Sequence, residues 1–238
     1  MLPSLPVPSS AATGSIGSTG SKGDAFANAN GAVLQDTVRW LERAVIGLNL
    51  CPFAKGVHAK GQIHCAVSSA TDPEQLLQEL ESELKALVEA TPEERDTTLL
   101  IAPVCLPDFL DFNGFLARTD KLLRKLKLQG ELQIASFHPQ FQFAGTSTDD
   151  VTNCTNRAPY PTLHLLREAS IDRAVEVFPE AKDIFERNMQ VLEDLGMQGW
   201  RALDVGAHRP EAVTEEATAA TLPLAPVVAA ATPKGKSA

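Results

Sequence analysis

The sequence predicts an α/β fold: a small open sheet of about three mainly parallel strands in β-α-β-α-β order, an N-terminal helix ahead of it and further helices behind. Three observations predict this. Apolar residues recur at helical spacing in separate segments, short apolar or alternating runs fall between those segments, and the two types alternate along the chain. Parallel neighbours need a crossover long enough to hold a helix, and the segments between the predicted strands are that long. A ferredoxin-like α+β arrangement is the alternative that uses the same elements.

Leu34, Val38, Leu41, Val45 and Leu48 recur at steps of four and three, which lines one face of a helix over 34–48 that Pro52 ends. Residues 62–68 (QIHCAVS) alternate Ile63, Cys65 and Val67 with small or polar neighbours, the pattern of a first strand. Asp72 supplies a capping oxygen just before Pro73, and Leu76, Leu77, Leu80, Leu84 and Leu87 carry the helix that follows to about Ala90. The run at 97–102 (TTLLIA) is apolar and bounded by charge and proline, which suits a buried second strand. Pro107 opens another amphipathic helix, with Phe109, Phe112, Leu116, Leu122, Leu123 and Leu126 facing inward and Gly130 at its exit; a third strand follows at 132–137. From His138 through Tyr160 no period persists. Helices are expected again over 161–168, 171–178 and 181–195, the last closed by Gly196.

Only the middle of the 238-residue chain carries apolar periodicity. Residues 1–31 are rich in Ser, Gly, Ala and Pro, and the tail over 207–238 is rich in Ala, Thr and Pro, so both are expected to stay without a core. A single domain over 32–206 is what remains. Pro3, Pro6 and Pro8 interrupt the first apolar stretch and no Lys or Arg precedes it, which argues against a secretory leader. No apolar window has the ~18 uncharged residues of a membrane span. A cytoplasmic protein with no membrane partner is expected. The net charge of −9, with no basic stripe to offset it, excludes nucleic acid as a natural partner. The oligomeric state is not set by anything in the sequence.

Cys51, Cys65, Cys105 and Cys154 form no Cys-x-x-Cys pair, so free thiols are expected and no metal site is assigned. Neither a Gly-x-x-x-x-Gly-Lys loop nor a Gly-x-Gly-x-x-Gly turn is present, so no nucleotide or dinucleotide cofactor is indicated and the cofactor stays unknown.

Candidate chemistry gathers after the third strand, because ligands of open α/β sheets bind beyond the carboxyl ends of the strands. His138 stands there as a candidate acid or base, or as a neutral ring satisfying a buried carbonyl. If Pro161 starts a helix, the amides near Thr162 are free, and Asn156, Arg157, Thr162 and Arg167 can hold a carboxylate or phosphate, with His164 and Arg167 on one helical face. The bland reading is that the arginines pin the loop. His164 sits among leucines and serves equally as an assisting catalytic group or a satisfied core histidine. Cys51 follows the first helix in Asn49-Leu50-Cys51-Pro52-Phe53-Ala54-Lys55, where Lys55 favours a thiolate and the helix carboxyl end opposes it. Four of those residues are similar to the Cys-Pro-Phe-Ala stretch of omega-class glutathione transferases, in which the cysteine follows a strand instead.

Three strings, WLERAVIGLNLCPFAK at 40–55, SFHPQFQFAGT at 136–146 and TNRAPYPTLHLLRE at 155–168, resemble the signature segments of the family known as domain of unknown function 1415. The likeness runs from about Thr37 to Trp200 and implies neither reaction nor ligand. The family pattern more often has Ser at the place of Ala158 and Tyr at those of Phe141 and Cys154. Each departure removes a hydroxyl, which shifts the weight to His138, Arg157, His164 and Cys51.

The sequence therefore supports three readings. The first is an enzyme acting on a small anionic metabolite, with His138 as acid or base, Arg157 and Arg167 as anion holders and Cys51 or His164 assisting. The second is a non-catalytic ligand-binding or adaptor domain. The third is a thiol-redox role for Cys51.

Overall fold

Side-chain alternation along four short strands decides this fold, because helices pack on both faces of the sheet. A computed structural model describes residues 22–177 and 184–208. The elements are α1 (Lys22–Trp40), running without a break into a π-helical turn (Leu41–Ile46), α2 (Ala54–Ala59), β1 (Ile63–Val67), α3 (Pro73–Glu89), β2 (Thr97–Ile101), α4 (Phe109–Leu126), β3 (Leu132–Phe137), a 3₁₀ turn (Val151–Asn156), β4 (Thr162–Arg167), α5 (Glu168–Val177) and α6 (Ile184–Ala202). The cap at α3 forms as its sequence requires: the Asp72 carboxylate accepts from the amides of Glu74 and Gln75, both at 2.9 Å. Asp108 caps α4 in the same way, accepting from Leu110 and Asp111.

The sheet order is β1-β2-β4-β3. β1 runs parallel to β2, and β4 runs antiparallel to both β2 and β3. The first three strands therefore share one direction, as expected, but β3 pairs with β4 rather than lying beside β2. β4 corrects the sequence reading, which places a helix over 161–168. Leu163 and Leu165 alternate with Thr162, His164 and Leu166, and hydrogen bonding from neighbours on both sides makes the extended form the better one for a segment buried this deeply.

Two other differences are local. α1 begins at Lys22, inside the segment expected to lack structure, because alanine-containing sequence extends an existing helix without a new nucleus. Gly196, at φ 67°, does interrupt α6, but helical geometry resumes and continues to Ala202. Residues 1–21, 178–183 and 209–238, which include most of both expected tails and parts of the two helices predicted over 171–178 and 181–195, lie outside the described residues. Among the described residues, no helix is long and apolar enough to cross a membrane.

Two apolar layers result. α3 and α4 pack Leu76, Leu80, Leu84, Leu87, Phe112 and Leu122 onto Leu100, Leu132, Leu163 and Leu165. On the opposite face α1 and the π-helical turn lay Val33, Trp40, Leu41 and Ala44 over Leu99 and Ile101. Arg167, the last residue of β4, turns to the α3 side, where its Nη2 donates to the carbonyls of Leu87 (2.5 Å), Ala90 (2.6 Å) and Arg95 (3.2 Å). Those carbonyls belong to the end of α3 and the turn after it, where a helix has acceptors without partners and a negative dipole end.

A second polar tie joins α1 to distant chain. Asp36 is buried and accepts from the Tyr160 hydroxyl (2.7 Å), the His208 amide (2.8 Å) and Arg39 (2.6 Å). Burial alone would raise the Asp36 carboxyl, but the hydrogen bonds from Tyr160, His208 and Arg39 together hold it below the usual range. Burial and the Asp36 charge push the Tyr160 hydroxyl up.

Leu165 is fully buried on the central strand, whereas Leu110 is 75% exposed. Leu165→Ala is expected to lower unfolding stability by about 2–5 kcal/mol, and Leu110→Ala by no more than about 0.5 kcal/mol. Urea denaturation of the two variants checks this, and equal costs would contradict the strand assignment.

Candidate functional site

His138 follows β3 directly and is fully buried. Its Nδ1 accepts from the Gln140 amide at 3.0 Å. The ring proton therefore sits on Nε2, which donates to the Leu106 carbonyl at 3.2 Å. Phe109 and Phe112 flank the ring at centroid distances of 5.4 and 5.1 Å. Burial lowers its proton affinity, so it is a neutral ring with both nitrogens engaged.

The loop after it is ordered by side chains bonded to backbone. Arg157 donates from Nε to the Phe141 carbonyl (3.1 Å) and from Nη2 to that of Thr148 (2.8 Å). Asn153, which no sequence signal singles out, is fully buried; it accepts from the Phe143 amide and the Thr146 hydroxyl, both at 2.9 Å, and donates to the Ser147 carbonyl. Asn156 accepts the His138 amide on its carbonyl and donates its Nδ2 to the Ser136 carbonyl at 3.3 Å. Thr162 is buried and donates to the Tyr160 carbonyl at 2.9 Å.

The helix start expected to carry the anion site does not form. Pro161 precedes a strand, and Thr162 and Leu163 are paired within the sheet on both sides. Three residues apart on a strand, His164 and Arg167 point to opposite faces. A hollow of about 390 Å³ lies beside Arg157, bordered by Pro139, Asp149, Ala158 and Trp200.

A cavity of about 670 Å³ opens on the α1 face of the sheet. Its floor is Ile63, Thr97, Leu99, Phe137, His164 and Leu166, all on that face of their strands, and its walls are Trp40 and Leu41, the turn Cys51-Pro52-Phe53, and Ile171 and Ala174 of α5. Cys51, His164 and Arg167 thus border one cavity, while His138, Asn156, Arg157 and Thr162 do not. Trp40 meets Phe137 edge-on at 5.3 Å, so an aromatic wall is supported by the floor. At the rim Asp96 accepts the Ser170 hydroxyl (2.6 Å), and Arg173 donates to the same Ser170 oxygen (2.9 Å).

His164 is the polar group in the floor. Thr97 Oγ1 lies 2.6 Å from the Leu165 carbonyl, to which only the hydroxyl can donate. The 2.7 Å contact between Thr97 Oγ1 and His164 Nε2 must then run from the ring to the hydroxyl oxygen. Nε2 carries the proton, and Nδ1 holds a lone pair with no partner among the described residues. Dense burial of the ring, although its residue keeps some surface on the cavity, depresses its pKa to about 4. Such a ring is too weak a base to form an imidazolium–thiolate pair with Cys51 at neutral pH. Among the described residues, no group of three or more His, Cys, Asp or Glu side chains is disposed to hold a metal ion.

A family profile described as a protein of unknown function (DUF1415) matches residues 32–202, well over half of the chain. The chain belongs to the DUF1415 family. No curated protein and no solved structure matches it. The DUF1415 match contains all four strands and every wall of the cavity, whereas His208, bound to Asp36, lies beyond it. Asp36 and Tyr160 escaped the sequence reading, yet one signal was present: Asp36 lies on the face of α1 that also carries Val33 and Trp40, where a carboxylate needs partners.

The depressed His164 has a definite effect on acid stability. The unfolded chain takes up a proton near the ordinary value of 6.5, and the folded chain only near 4. Stability is therefore full above pH 6.5 and falls as the pH drops towards 4, by about 3 kcal/mol from this group; His138 acts in the same direction. Denaturant titrations of the wild type and His164→Phe between pH 7 and 4.5 should show a shallower loss in the variant. Parallel curves would contradict the burial of a neutral His164.

Proposed function

We propose that the chain is a small-molecule-binding domain whose ligand occupies the cavity between the α1 face of the sheet, the Cys51–Phe53 turn and α5. The observation that carries this reading is a cavity in the size range of small-molecule sites, apolar in its walls and holding one hydrogen-bonding nitrogen without a partner in its floor.

The enzyme reading, in which His138 moves a proton on a small anionic metabolite held by Arg157 and Arg167, ranks behind it. That chemistry needs an accessible ring nitrogen and guanidinium groups open to a ligand on the same side. Leu106 and Gln140 engage the ring, and the carbonyls of Phe141, Thr148, Leu87 and Ala90 engage the arginines. The same contacts support the view that these residues frame the fold. The thiol reading keeps one specific point in its favour, the place of half-buried Cys51 on the cavity wall.

The neutral fluorescent probe N-phenyl-1-naphthylamine tests the proposal. Its emission should rise on addition of the chain and saturate at one probe per chain. Alkylation of Cys51 with N-phenylmaleimide should abolish the rise, and Cys51→Ser should make binding insensitive to the maleimide. Unchanged binding after complete alkylation of Cys51 would place the probe elsewhere and contradict the proposal.

A further inference from the structure

Resting on that reading, we propose the class of ligand: a planar, uncharged aromatic molecule that buries an N–H or O–H donor against Nδ1 of His164. Three features of the cavity lead there. Its walls present Trp40 and Phe53 and its floor Phe137, and flat aromatic faces and edges pack best against aromatic ligands. Its floor offers an acceptor and withholds the matching donors: Nε2 of His164 is committed to Thr97 Oγ1, and the Thr97 hydrogen to the Leu165 carbonyl.

The third feature is the absence of a charge that would select an ion. Lys60 and Arg173 border the cavity together with Glu93 and Asp96, so the charges of these four side chains balance. Arg167 also borders the cavity, but its Nη2 turns away to three carbonyls at the end of α3, and its Nε, which has no partner, is itself buried and offers no surface to a ligand. A carboxylate or phosphate reaching the floor would lose its hydration and meet the lone pair of a neutral ring. A buried ammonium would meet no carboxylate in the floor. A neutral donor is the group that satisfies Nδ1 without introducing a charge.

The test compares molecules of the same shape. Indole and 1-methylindole differ by the donor, and benzoate supplies the anionic case; each displaces N-phenyl-1-naphthylamine from the wild-type chain in a competition titration. Indole is expected to bind about tenfold tighter than 1-methylindole, the gain of one hydrogen bond to an acceptor that the bound ring would otherwise cover and leave unpaired. The preference should vanish in His164→Phe, which keeps a flat ring and loses the acceptor. A second readout needs no variant: the ¹⁵N resonance of His164 Nδ1 in the wild type should shift with indole and stay in place with 1-methylindole.

Equal affinity for the two indoles, with both blocked by alkylation of Cys51, would overturn the donor assignment and leave the cavity as the binding site. Tighter binding of benzoate than of indole would overturn it in favour of an anionic ligand. Binding of both indoles that is indifferent to alkylation would overturn the cavity reading itself.

Discussion

The insertion of β4 between β2 and β3, antiparallel to both, is the constraint on which the rest of the structure depends. A strand with neighbours on both sides has its backbone groups satisfied by the sheet, so its side chains alone decide what each face becomes. Leu163 and Leu165 complete the core under α3 and α4. Thr162, His164 and Leu166 point the other way, and the last two become cavity floor. Arg167 then closes the end of α3. Six residues thus supply a core layer, part of a cavity floor and a helix cap, and a shift of one residue in register would exchange the first two.

The long segment between β3 and β4 shows how a stretch without apolar periodicity becomes ordered. Its anchors are polar groups that would each cost about 1–3 kcal/mol if buried without a partner. His138 joins it to the turn before α4, Asn153 and Arg157 gather its carbonyls and amides, and Tyr160 fixes its end to Asp36 on α1. An aromatic series runs along the same path, from His138 through Phe109, Phe141 and Phe143 to Phe185, with successive centroids 4.9–5.6 Å apart. Residues that read as catalytic by type and position are those a structural loop also needs, and the direction of their hydrogen bonds separates the two roles.

Local rules made most of the fold legible. The leucines of α3, its Asp72 cap and Pro73, the positions of the first three strands and that of α4 all follow from spacing and caps that act within a few residues. The string at 161–168 failed because proline at its start and leucines at 163, 165 and 166 suit a helix as well as a buried strand; what decides is pairing with β2 and β3, dozens of residues earlier. The site was legible in part. Cys51, His164 and Arg167 were singled out by type and do border one cavity, but Trp40, Phe53 and Phe137 read only as core. The state of His164 rests on Thr97, 67 residues away, and that of Asp36 on Tyr160, 124 residues away. No short window of sequence contains either relation.

A crystallographic fragment screen would decide between the α1-face cavity as the ligand site, with His138 and Arg157 as parts of the frame, and a site beside Arg157. Bound fragments are expected to gather between Trp40, Phe53 and Phe137, with N–H or O–H groups directed at His164. Fragments collecting instead in the hollow beside Arg157 and Trp200, with the larger cavity empty, would contradict the proposal.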